Sequence, residues 1–119
     1  MKNNISYVYS CGCTVDLGIL ASKIADKFGE NKVAVPVDLP DRFSDDKEFI
    51  KNAGSAYMNI AIDGCDLGCA HRYLKSKKIE HIKFFLTDFG YEKGKTEVNE
   101  KLVSLLFEKI RSKIGEQCA

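Results

Sequence analysis

The chain has almost no net charge. Eighteen Lys and Arg stand against seventeen Asp and Glu, a formal balance of +1. That excludes the broad basic footprint of a nucleic-acid-binding or anionic-lipid-binding protein. The lysines are scattered, and Lys75-Ser76-Lys77-Lys78 is the one cationic run. It reads as a solvated helix end, where cations suit the helix dipole. No apolar stretch approaches the ~20 residues that a membrane span needs. The opening residues Met1-Lys2-Asn3-Asn4 lack the apolar core of a signal peptide. A cytoplasmic protein with no membrane and no nucleic-acid partner is therefore expected. Internal repeats, linkers and low-complexity segments are also missing.

What is present is an ordinary globular composition, 45% apolar and 29% charged over 119 residues. That length suits a single domain, residues 1–119, with a modest core. Five cysteines accompany it. In a cytoplasmic chain they are expected to be reduced, metal-bound or catalytic rather than disulfide-bonded.

Strand-like and helix-like segments alternate four times. Ile5 to Ser10 is rich in β-branched and aromatic residues and predicts the first strand. Thr14 to Phe28 carries Leu17, Leu20, Ala21, Ile24 and Phe28 at helical spacing, with Gly29 as a stop. Lys32 to Val37 predicts the second strand. Pro36 cannot donate a ladder hydrogen bond, so this strand belongs at an edge. A short helix begins near Asp45 and Glu48, spaced as a capping box, and ends near Gly54. Tyr57 to Ile62, nearly all apolar, predicts a strand covered on both faces. Cys69 to Lys77 predicts the third helix and Ile82 to Thr87 the fourth strand. After a polar loop, Thr96 is expected to cap a last helix with an apolar stripe of Val98, Leu102, Leu105, Leu106, Ile110 and Ile114.

The alternation predicts an α/β fold, a three-layer αβα sandwich of the Rossmann or flavodoxin-like kind. Its four-stranded parallel sheet is expected in the order 2-1-3-4. In that order the chain reverses direction between strands one and three. Ligands of open α/β sheets bind outside the carboxyl ends of the strands at such a point. The loops there are Cys11-Gly12-Cys13 and Asp63-Gly64-Cys65.

Four thiols thus converge from two loops. Cys11 and Cys13 form a C-x-C turn. Cys65 and Cys69 are four apart, a spacing that puts both on one face of a helix's first turn. A helix N-terminus favours the thiolate over the thiol. Four thiolates are what a closed tetrahedral zinc site requires, and they suit an iron–sulfur cluster equally. The bland alternative makes Cys13 and Cys69 small buried hydrophobes at helix starts. Nucleophilic use of a low-pKa thiolate, Cys11 or Cys65, is the rival chemistry, as a redox, persulfide or phosphoryl carrier enzyme. A phosphatase is not expected: it needs an arginine six positions after its cysteine, where Leu17 follows Cys11 and Ile19 follows Cys13.

Around this set, Asp63 is placed to accept backbone N–H bonds and hold the turn, with Gly12, Gly64 and Asp88 as further supporting positions. His71 is expected to be a partly exposed polar residue. His81, at the start of strand four, is expected to be structural and remote from the site. Cys118 is expected on a mobile tail.

At Ile62-Asp63-Gly64-Cys65-Asp66-Leu67-Gly68-Cys69-Ala70, followed by Leu86-Thr87-Asp88, the sequence resembles the DGC-domain family of zinc-binding proteins of bacteria and archaea. Members read Ile-Asp-Gly-Cys-Pro-x-x-Cys-Ala, then a helix and a stretch like Leu-Thr-Asp. Tyr9-Ser10-Cys11-Gly12 is similar to the family's turn after strand one. The resemblance implies four cysteine ligands to a metal, taken as zinc, and no settled biochemical role. Two departures stand out. Asp66 replaces the family's proline. The cysteine usual near Val33-Ala34-Val35-Pro36 is missing. Either Cys13 supplies that thiolate, or the fourth coordination position is open to water or substrate.

Overall fold

The computed structural model describes residues 5–10, 15–40, 45–64 and 68–118, the last three of these by backbone alone. Four strands form one parallel sheet: β1 (Ser6–Ser10), β2 (Val35–Pro36), β3 (Met58–Asp63) and β4 (Ile82–Phe85). Their order is β2-β1-β3-β4, as the alternation predicts. The helices are α1 (Asp16–Glu30), α2 (Lys47–Ser55), α3 (Cys69–Ser76) and α4 (Glu100–Cys118). A short 3-10 turn, Leu86–Phe89, follows β4.

Strand alternation divides the core into two layers of different character. Val8, Ile60, Ile62 and Phe84 face one side, where they pack with Leu17, Leu20, Ile24 and Phe28 of α1 and Leu106, Phe107 and Ile110 of α4. This layer is bulky and wholly apolar. The rings of Phe28 and Phe107 meet edge to face at 4.8 Å. Such a pair adds about 0.5–1.5 kcal/mol beyond its buried area. Tyr9 and Ala61 face the other side, against Ala53 of α2 and Ala70 and Leu74 of α3. Small side chains bring the helices close here, and polar groups enter the core. The Tyr9 hydroxyl donates to Asn59 Oδ1 at 2.7 Å. Asn59 Nδ2 donates to the Ala53 carbonyl at 2.8 Å. No buried side-chain nitrogen or oxygen among the described residues lacks a partner, as a stable core demands.

Several segments depart from the sequence reading, among them α1, which runs through Gly29 to Glu30. The second strand is two residues rather than the expected Lys32–Val37. The N–H groups of Val33 and Ala34 are spent on the Phe28 carbonyl, closing the end of α1. Lys32 has a positive φ of 56° in that turn, and Pro36 has no N–H to offer. The fourth strand stops at Phe85, because Leu86–Phe89 coils into the 3-10 turn.

The last helix starts at Glu100, not beside Thr96. Asn99 caps it instead, its Oδ1 accepting the Leu102 N–H at 2.9 Å. The Thr96 N–H donates to Asp16 Oδ2 at 3.0 Å, and its hydroxyl to the Glu92 carbonyl. Asp16 Oδ1 also takes the Gly94 N–H. One carboxylate at the start of α1 thus pins the loop that precedes α4. Finally, Cys118 is the last residue of α4 and not part of a tail.

Candidate metal centre

β1 and β3 lie side by side, with Ser10 opposite Ile62. The segments that leave these two strands therefore start as neighbours. Both lead into helices: α1 begins at Asp16 and α3 at Cys69. Gly64, the first residue after β3, is wedged against the first turn of α1. A Cβ on Gly64 would stand 2.6 Å from the Leu17 carbonyl carbon and 2.8 Å from the Gly18 nitrogen. Only glycine permits that approach. The two loop roots are thereby fixed to each other, backbone against backbone.

Asp63 closes the same junction from inside. Its side chain is fully buried. Oδ1 accepts the Ala70 N–H at 2.9 Å and Oδ2 the His71 N–H at 3.0 Å. A strand-end carboxylate thus satisfies two of the N–H groups that a helix start leaves open. Burial pushes the Asp63 carboxyl above its ordinary range, and the two amide bonds oppose that rise. The acceptor role read from the sequence is present, directed at the first turn of α3. Gly68 turns the chain into that helix with φ +60°, and its carbonyl accepts the Arg72 N–H at 2.8 Å. The Phe85 ring lies against it. Cys69 is the first helical residue and is exposed.

Of the four expected thiolates, Cys69 is described. Cys11, Cys13 and Cys65, with Gly12, lie outside the described residues. Among the described residues no group of three or more His, Cys, Asp or Glu could hold a metal ion. Asp88 sits in the 3-10 turn after β4 and is exposed.

The two histidines are not separate features. His71 Nδ1 lies 2.8 Å from His81 Nε2. His81 Nδ1 lies 2.7 Å from the Ile79 carbonyl. A carbonyl only accepts, so His81 Nδ1 carries a proton, and in the neutral pair His71 Nδ1–H donates to His81 Nε2. The His71 ring also packs edge-on to Phe85 at 5.8 Å. Burial, and then the charge of Lys83, hold the His71 pKa below its ordinary value. His71 is partly exposed, as expected. His81 stands at the entrance of β4, and α3 has only eight residues and β4 only four. That brevity lets a first-turn imidazole meet one at the strand's entrance. No signal in either histidine's sequence neighbourhood announces the pair.

A family model for the DGC domain matches residues 7–110 of the chain. The chain belongs to the DGC-domain family. No curated protein and no solved structure matches it. The matched span runs from β1 into α4, so the DGC domain takes in the whole sheet and both helical layers. Its Asp-Gly-Cys motif begins with the carboxylate that caps α3 and the glycine that abuts α1. The first two motif positions are thus structural requirements of the junction. No helix among the described residues is long and apolar enough to cross a membrane.

Proposed function

We propose that this DGC-domain protein binds a metal ion, zinc, through Cys11, Cys13, Cys65 and Cys69 at the carboxyl edge of its sheet. The observation that carries the reading is the contact of Gly64 with Leu17 and Gly18 between the paired strands β1 and β3. It sets the roots of the two cysteine-bearing segments side by side. Cys69 is the first residue of α3 and is exposed. The metal's part is to join the two loops, and in a closed four-thiolate site it stabilises the domain.

The test is elemental analysis of protein purified without oxygen. About one zinc per chain is expected, as for a closed four-thiolate site. Cys65→Ser is expected to lose the metal and lower the melting temperature. Unchanged metal content and melting temperature in that variant sink the shared site. A visible charge-transfer band replaces zinc with an iron–sulfur cluster.

The second reading takes Cys11 or Cys65 as a reactive thiolate, in a redox, persulfide or phosphoryl carrier. Metal-free protein with four or more rapidly titrating thiols supports that reading and opposes the first.

A further inference from the structure

In an open α/β sheet the helix starts at the carboxyl edge are where a phosphate is held, by backbone N–H groups that have no partner within the helix. α1 and α3, the helices that follow the two cysteine-bearing segments, begin at that edge. Their first turns are already committed. In α3 the Ala70 N–H goes to Asp63 Oδ1 at 2.9 Å and the His71 N–H to Asp63 Oδ2 at 3.0 Å. The Arg72 N–H goes to the Gly68 carbonyl at 2.8 Å. In α1 the Leu17 N–H goes to Asp16 Oδ1 at 2.8 Å, and the Ile19 N–H to the Val15 carbonyl at 2.9 Å. The Gly18 nitrogen between them is covered by Gly64, so closely that a Cβ there would stand 2.8 Å from it.

The occupants that matter are carboxylates. Asp63 is fully buried, so no ion from solvent displaces it. Asp16 also takes the Gly94 N–H at 2.9 Å and the Thr96 N–H at 3.0 Å, which draws the loop before α4 to the start of α1. Neither carboxylate is drawn off by an ion pair among the described residues, where the pairs are Lys27–Glu100, Lys77–Asp46 and Lys95–Glu92. A phosphate approaching either start meets a negative oxygen already bonded to the N–H groups it needs. Like charges repel strongly where water is scarce.

We infer, on the reading that the cysteine-bearing segments form one site at this edge, that Asp63 and Asp16 are its specificity-determining residues and exclude phosphate-type oxyanions from the starts of α1 and α3. The ligand class left to the edge is a cation or a neutral group. That weighs against the phosphoryl form of the carrier reading and leaves the metal and sulfur forms.

The experiment is titration of the full chain as purified with inorganic phosphate, at constant ionic strength, followed by the backbone amide resonances of Leu17, Ala70 and His71. In the parent these resonances should show no saturable movement. Asp63→Ser frees two N–H groups, and phosphate at about millimolar concentration should then move the Ala70 and His71 resonances saturably. Asp63→Asn keeps one acceptor and should gain the same binding more weakly. Asp26→Asn removes an equal charge from the exposed side of α1 and should gain none. Saturable movement in the parent overturns the inference, whether or not a variant folds. So does the absence of any gain in both Asp63 variants, or an equal gain in Asp26→Asn. Zinc content measured on the same samples separates the two readings. A metal-free parent that ignores phosphate fails the zinc reading alone, and a zinc-loaded parent that binds phosphate at these amides fails this one alone.

Discussion

Gly64 lies so close to Leu17 that a single added methyl group would overlap the Leu17 backbone, with carbon atoms 2.6 Å apart. The neighbouring atoms are main chain and cannot rotate away. Gly64→Ala must therefore push α1 off the end of β3. Overpacking of this kind costs about 1–3 kcal/mol. Urea titration should show a lower midpoint with an unchanged slope. A midpoint equal to that of the parent would mean the junction is looser than the geometry indicates.

The Tyr9 hydroxyl and Asn59 form the polar heart of the α2/α3 layer, and both residues are buried. Burial, and then the nearby Tyr7, raise the Tyr9 phenol far above its ordinary range, so it remains a neutral donor under ordinary alkaline conditions. Tyr9→Phe leaves Asn59 Oδ1 without its donor and should cost about 1–3 kcal/mol. Asn59→Leu should cost as much, since the Tyr9 hydroxyl loses its acceptor and the Ala53 carbonyl keeps only the Ala56 N–H at 3.3 Å. The double variant should be destabilised by less than the sum, because the two residues share one bond. Additive losses in a double-mutant cycle would show the residues to be uncoupled.

Asp16 gives the fold a predictable acid response. The N–H groups of Gly94 and Thr96, first among the causes, and that of Leu17 hold its pKa below the ordinary aspartate value. The ionised form is therefore preferred in the folded chain. Its contribution is complete above the ordinary aspartate range and is lost as pH falls through the lowered value. Asp16→Asn should unfold more readily at neutral pH and approach the parent's stability in acid. Melting curves recorded between neutral and acid pH check the sign. A gap between the two proteins that widens toward acid would contradict it.

Phe28 and Phe107 tie the first helix to the last, and both are buried against the same layer. Phe28→Ala should cost about 3–5 kcal/mol, the usual loss for a core aromatic. Phe28→Leu should recover most of that. Equal destabilisation by both would point to a specific need for the ring, beyond its volume.

The sheet was legible because its signals are local and redundant. Four apolar runs alternate with four helical periodicities, and Pro36 assigns its own strand to an edge. What was illegible depends on backbone groups claimed from outside the segment. The shortness of β2 reflects the demand of the Phe28 carbonyl for the Val33 and Ala34 N–H groups. The late start of α4 reflects the capture of Gly94 and Thr96 by Asp16, some eighty residues away in sequence. Neither partner can be read from the segment itself. In the candidate metal centre, the role of Asp63 as a backbone acceptor was readable from its place before a glycine turn. The union of His71 with His81 was not, since helical and strand periodicities carry no information about where two such elements approach. The set of four cysteines was proposed from spacing and family pattern, and only Cys69 falls within the described residues.

The sheet order also constrains how the chain can assemble. β1 is an inner strand, yet its broadest partner is β3, and Tyr9 and Asn59 are 50 residues apart in sequence. The β1–α1–β2 segment is contiguous, but β2 contributes only two residues to its pairing. A chain emerging from the ribosome must hold β1 without its main neighbour until residue 63 has been made. Such long-range pairing is slow to form, because loop closure precedes the contacts that reward it. Formation of the β1–β3 seam should therefore be the committing step, with the α1 layer consolidating around it.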